Sequence, residues 1–285
     1  MASQTARLLI ACPDGRGIVA AVAGFIAEHG GNILEADQHT DPQRGEFFMR
    51  VEIELNGLAL DRQSFGQTWA AVAGRYRMRW RMFWGNEIKR MALLVSKEGH
   101  CLNDLLWRWK TLELRVELPL VIGNHPALGG QVEALGVEFH HLPVTPGAKR
   151  QQPDLVLALL REAHVDFIVL ARYMQMLPPD FVAEYPERII NIHHGFLPAF
   201  AGPRPYHQAF DRGVKLIGAT SHYVTDVLDE GPIIAQSTLP VNHRDNIDDL
   251  IRKGRDLERV VLATAVRQHV EDKILVSRNK TIVFD

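Results

Sequence analysis

At 285 residues, with 46% hydrophobic and 23% charged side chains, the chain has the composition of a soluble globular protein and the length for two ordinary domains. A net charge of −2 and a pI of about 6.7 provide no global basic field, which argues against nucleic acid or an anionic membrane as a partner. Two widely separated cysteines, Cys12 and Cys101, argue against a disulfide framework or a thiolate zinc site and fit a reducing cytoplasm; no apolar run approaches transmembrane length.

Residues 6–84 read as a compact βαββαβ unit. Arg7–Cys12 is a short apolar strand, Pro13–Gly17 a turn, and Ile18–His29 carries apolar residues at helical spacing until Gly30-Gly31 stops it. Asn32–Thr40 and Glu46–Leu55 read as two strands around the Asp41–Gly45 turn, followed by a helix over Arg62–Tyr76 and a strand over Met78–Trp84. This gives an expected first domain at 1–84 and a linker at 85–89 around Gly85-Asn86-Glu87.

From residue 90 to 285 the pattern changes to apolar strands alternating with helices. Strands are expected at Arg90–Ser96, Leu118–Ile122, Glu138–Leu142, Phe167–Ala171, Arg188–Ile192 and Ile217–Val224, with helices over His100–Trp109, Ala127–Leu135 and Pro153–Ala163. Buried strands joined by helical crossovers imply an α/β fold with a mostly parallel, doubly wound sheet of the Rossmann type. In such sheets ligands bind beyond the carboxyl ends of the strands.

One strand runs out into that region as Asn191-Ile192-His193-His194-Gly195-Phe196-Leu197-Pro198. Alternation along a strand puts Asn191 and His193 on one face and Ile192 and His194 on the other. The pair is either an amide donor and an imidazole aimed at one reacting group or a turn-capping Asn beside a structural His. Leu170–Pro178, rich in Met and aromatic side chains, is either a slot for a flat heterocycle or an ordinary core edge. Arg204, in the stiff loop Ala201–His207, is a carboxylate or loop anchor or a surface residue. Three carboxylates, Asp226, Asp229 and Glu230, precede the sharp Gly231-Pro232 turn, and one of them is expected to face Asn191 and His193. Asn, His and Asp suit attack at a carbonyl, with donors for the oxyanion and a base or orienter for the nucleophile. No Ser or Cys accompanies these motifs, which leaves water or an acceptor amine as the attacking group. His100-Cys101 reads as packing rather than a thiolate pair, and no metal is expected, because no i, i+4 His pair or Cys cluster occurs.

Asn191-Ile192-His193, Leu197-Pro198 and Asp229-Glu230-Gly231-Pro232 together resemble the signature of the folate-dependent formyltransferase fold family. The N-terminal layout, with Cys12–Gly17 after its first strand, resembles an ACT domain. The ACT resemblance implies either a dimerisation module or a regulatory amino-acid site at Asp14, Arg16 and Gly17, and a homo-oligomer of at least two copies. The formyltransferase resemblance implies a catalytic trio of Asn191, His193 and Asp229. It also implies two folate-holding loops, Met174, Gln175, Met176, Leu177 and Val224, Thr225, Asp226, Val227, Leu228. The loop Lys97–Leu102 departs from that family, lacking the Gly-rich phosphate cradle of its ribonucleotide-binding members. The two modules together resemble formyl-folate hydrolases. This implies cytoplasmic hydrolysis of 10-formyltetrahydrofolate to tetrahydrofolate and formate for purine biosynthesis, with no cofactor. The alternatives are a formyltransferase using an unphosphorylated amine and an amino-acid sensor with an idle second domain.

Overall fold

The computed structural model describes residues 5–85, 87–144, 151–200, 202 and 204–285. Residues 1–4 of the expected first domain, Asn86 of the expected linker, and Ala201 and Pro203 of the stiff loop lie outside the described residues. Tertiary contacts divide the chain into two units: Met1–Ile88 with Glu271–Ser277 and Ile282–Asp285, and Lys89–Val270 with Arg278–Thr281.

The first unit is an antiparallel sheet of β1 (Thr5–Pro13), β2 (Asn32–Asp41), β3 (Glu46–Glu54) and β4 (Arg79–Trp84) in the order β2-β3-β1-β4, with α1 (Ile18–Glu28) and α2 (Arg62–Tyr76). Asp61 and Ser64 close a reciprocal capping box that starts α2. Alternate residues Leu8, Ile10, Phe47, Met49, Val51 and Ile53 pack against Phe25, Phe65 and Trp69 of the helices, and Phe25 meets Trp69 edge-on at 4.9 Å. Each such large side chain contributes about 2–3 kcal/mol through burial.

The opposite sheet face is covered as well, which spacing within β1 and β3 does not reveal. β12 (Ile274–Ser277) and β13 (Lys280–Val283) form a hairpin. Leu275 and Phe284 pack on Leu9, Ala11 and Phe48, and the buried Arg50 donates through Nε to the Asp272 carbonyl at 3.2 Å. Residues 271–277 and 282–285 therefore pack with the first unit, in contrast to the expectation that 90–285 forms one domain. The hairpin is short, and sequence spacing cannot say which sheet an isolated apolar pair will cover.

In the second unit, β5 (Arg90–Val95), β6 (Glu117–Gly123), β7 (Glu138–His141), β8 (Phe167–Ala171) and β9 (Ile189–His193) are parallel. β10 (Leu216–Tyr223) and β11 (Ile233–Pro240) extend the sheet antiparallel, giving the order β11-β10-β9-β8-β5-β6-β7. Met91–Val95 and Phe167–Val169 are completely buried, as strands covered on both faces must be. The crossovers are α3 (His100–Lys110), α4 (Gly129–Glu133), α5 (Gln151–Glu162) and α6 (Pro179–Glu184), and α7 (Pro205–Asp211) links β9 to the antiparallel β10. The helix expected over Ala127–Leu135 is a 3₁₀ turn at Pro126–Leu128 followed by the short α4; a Cβ on Gly129 would lie 2.9 Å from the Phe139 ring, so the glycine admits that ring.

The last helix, α8 (Ile247–Val270), starts at an Asn246/Asp249 reciprocal cap, and Lys89 Nζ donates to its terminal carbonyls at His269 and Val270, each at 2.9 Å. Its buried stripe of Leu250, Gly254, Leu257, Val261, Leu262, Ala265 and Val266 has helical spacing and includes one charged residue, Glu258. Gly254 is required there, since a Cβ would lie 2.1 Å from the Tyr206 ring.

Candidate active site

β9 delivers Asn191 and His193, and β10 lies antiparallel beside it with His222 opposite Asn191 and Thr220 opposite His193. The Asn191 amide donates through Nδ2 to His222 Nε2 at 3.2 Å, while His222 Nδ1 donates to the Tyr223 carbonyl at 2.9 Å. These partners make His222 the Nδ1–H tautomer and fix the amide orientation of Asn191. His193 Nδ1 lies 3.2 Å from Asp229 Oδ2, and its Nε2 lies 3.4 Å from the Phe200 carbonyl. Both ring nitrogens face acceptors, a setting that the doubly protonated imidazolium satisfies.

Asp229 reaches this position because the loop after β10 doubles back. Tyr223 N donates to the Pro232 carbonyl at 2.9 Å, and a Cβ on Gly231 would fall 1.7 Å from the Tyr223 oxygen, so only glycine allows this approach. Asp229 itself has a φ of 57°, the left-handed region. The hydrogen bond from His193, foremost, holds its carboxyl far below the usual carboxylate range. Asp226 and Glu230, the other two carboxylates of the cluster, are exposed.

The loop beyond β9 is braced from β10: Thr220 Oγ1 donates to the Gly195 carbonyl at 2.9 Å and accepts from Leu197 N at 3.0 Å. His194 lies past the last strand residue, so alternation no longer separates it from His193. The two rings are 5.3 Å apart and both line the cavity, contrary to the expected opposite facing. Burial first, and then the Arg172 charge, push the His194 imidazole down to about 4.

These groups lie in a cavity of about 330 Å³. The predicted folate-loop residues 174–177 and 224–228 all line it, and Met174, Met176, Val227 and Leu228 are exposed apolar side chains. The first of these loops is anchored by Met174 N donating to Ser96 Oγ at 3.0 Å and by Gln152 Nε2 donating to Tyr173 Oη at 2.8 Å. Arg204 is exposed at the start of α7. Asp14, Arg16 and Gly17 form an exposed turn in the first unit, and the cavity described there is lined instead by Leu9, Ala11, Arg79, Trp80, Arg81, Leu275 and Val276.

Sequence reasoning missed His222, and it missed a buried network behind His194. Glu258, 1% exposed, accepts from Tyr206 Oη at 2.7 Å, lies 2.8 Å from His100 Nε2, and pairs with Arg172 Nε at 3.4 Å. Burial would raise the Glu258 carboxyl, but the His100 bond, the Arg172 charge and the Tyr206 bond outweigh it and hold it below the usual range. His100, Cys101 and Glu258 bring three candidate ligand atoms within 4.8 Å. The Arg172 cation already occupies their neighbourhood, and burial pushes the Cys101 thiol up, so the cluster reads as an ionic network rather than a metal cradle.

A formyl transferase family model matches residues 89–266 and an ACT domain model matches residues 6–63. A formyltetrahydrofolate deformylase of Synechocystis is 53% identical over 284 residues, covering 100% of both chains, and that of Bacillus subtilis is 51% identical, covering 98% of this chain and 93% of its own. The chain belongs to the formyltetrahydrofolate deformylase family. A crystal structure of the Pseudomonas syringae deformylase superposes with a TM-score of 0.97 at 48% identity, covering 100% of this chain and 96% of that one. A glycinamide ribonucleotide transformylase from Symbiobacterium toebii, 29% identical with a TM-score of 0.67, covers 97% of its own chain but 71% of this one. The ACT-containing whole is thus shared with the deformylase family.

Proposed function

We propose that the chain hydrolyses 10-formyltetrahydrofolate to tetrahydrofolate and formate by direct attack of water on the formyl carbon. The observation that carries this reading is the convergence of Asn191, His193 and Asp229 on one cavity whose described lining holds no serine or cysteine to act as nucleophile. The mouth, with its exposed Met and Leu side chains, suits a flat pterin, and the main-chain groups of the two flanking loops can read its polar edge.

In this mechanism the Asn191 amide, aimed by His222, and the His193 imidazolium donate to the oxyanion that forms when water adds. The Asp229 carboxylate orients that water and takes its proton directly or by relay, and it keeps His193 charged. The proton moves on to N10, the C–N bond breaks, and tetrahydrofolate leaves as an amine. The acceptor in this reading is water rather than an amine, which fits the relatives matching over the full chain being named deformylases.

Purified protein supplied with 10-formyltetrahydrofolate and no amine, in metal-chelated buffer, is expected to release one formate per folate consumed. Formate that appears only after an amine is added would replace this reading with transfer. The first unit, which matches the ACT domain, is further proposed to pair with a second copy. Light scattering at micromolar concentration is expected to give at least the dimer mass, and a monomer mass would refute it.

A further inference from the structure

Hydrolysis creates an anion where the bound substrate had none. Water adds to a neutral amide, the C–N bond breaks with a proton going to N10, and the carboxylic acid so formed ionises at neutral pH by giving its proton to solvent. A buried carboxylate needs a cation or several donors. This requirement rests on the hydrolytic reading above.

The cationic groups described around the cavity are not equally available. His193 faces Asp229, His222 accepts the Asn191 amide, and His194 is neutral at pH 7. Arg172, directly after β8, also lines the cavity and is 14% exposed. Its Nε and Nη1 are buried and make no hydrogen bond among the described residues. Its counter-charge, Glu258, stands 3.4 Å away and is already engaged by His100 and Tyr206. With Nε paired to Glu258 and both Nε and Nη1 sealed from solvent, the guanidinium meets the cavity through its Nη2 end, where its charge suits a carboxylate. Arg172 also holds a left-handed φ of 63°, a strained state for a non-glycine residue, kept at the cavity wall.

We propose that Arg172, backed by Glu258 and flanked by His194, forms a subsite for a small carboxylate, the formate product, beside the reacting centre. The glutamyl tail of the folate offers the same chemistry. A tail, however, trails outward from the pterin, whereas Arg172 is seven-eighths buried next to the His194 that adjoins His193.

The test titrates [13C]formate into the full chain saturated with tetrahydrofolate and follows binding by NMR. Wild-type affinity is expected at about millimolar, the ceiling for a ligand of three heavy atoms. Arg172→Met is expected to weaken formate by at least about 10-fold, and Arg172→Lys by less, with tetrahydrofolate affinity unchanged in both. Unchanged formate binding in a folded Arg172→Met, or no formate binding by the wild type, would overturn the proposal. So would a loss confined to tetrahydrofolate, which would assign Arg172 to the tail. If the variants do not fold, competition on the wild type decides: nitrate is expected to displace formate and neutral formamide is not, and displacement by formamide would refute a charge-reading site. Formate binding is read without turnover, so failure of the hydrolytic reading shows separately in the release assay.

Discussion

Replacing Asp229 with asparagine is expected to lower turnover by at least about 100-fold, the scale of an essential acid/base group. The substitution keeps size and shape but removes the negative charge that faces His193 Nδ1 at 3.2 Å. An amide also cannot take a proton from water. The pH behaviour separates this role from a structural one. The hydrogen bond from His193, foremost, holds the Asp229 carboxyl far below its ordinary range. A carboxyl depressed in the folded state contributes stability that is present above its unfolded value, near pH 4, and is lost as pH falls through the folded value. The wild type is therefore expected to lose this contribution progressively below about pH 4, and Asp229→Asn to lack that slope. Melting temperature followed against pH checks the slope, and steady-state formate release checks the rate. Near-normal hydrolysis by the variant would remove Asp229 from the mechanism.

His193→Ala is expected to cost more, at least about 1,000-fold in kcat, because one side chain carries two duties. Loss of an oxyanion donor costs about 100- to 1,000-fold, and loss of a positioned acid adds to it. The same change strips Asp229 of its principal hydrogen-bond donor and leaves the Phe200 carbonyl without its ring partner. Tetrahydrofolate affinity should change by no more than a few-fold, since the pterin is proposed to rest on the loops 174–177 and 224–228. His193→Gln, which restores a neutral donor, should recover part of the loss. A kcat within tenfold of wild type for His193→Ala, measured with folate binding confirmed, would contradict the oxyanion assignment.

Part of this site is legible in the amino-acid sequence. The strand ending at Asn191 and His193 follows from an apolar run and period-two alternation, both local properties of the chain. β1, α2 and the parallel strands β5 and β8 likewise follow from spacing within single segments, and α2 starts where its capping residues say it should. The predicted loops 174–177 and 224–228 both border the cavity, the first because it follows the parallel strand β8 and the second because the loop after the antiparallel β10 doubles back.

The rest depends on which distant segments meet. Asp226, Asp229 and Glu230 are equivalent as residue types, and what selects Asp229 is the reversal at Gly231, where no side chain fits against the Tyr223 carbonyl. His222 aims Asn191 because antiparallel pairing of β9 and β10 puts the two opposite each other across 31 residues. His194 joins the cavity because the strand ends one residue earlier. Glu258 meets Tyr206 across 52 residues and His100 across 158, and its stripe on α8 otherwise reads as an apolar face. The local elements, the strand-end amide and imidazole, and the family whose motifs they carry are thus properties of the residue order alone. Which carboxylate serves that pair, which histidine orients it and which cation stands behind it are set by the folded arrangement. Periodicity reports the environment along one segment, whereas electrostatic partners come from the packing of segments that the chain order leaves far apart.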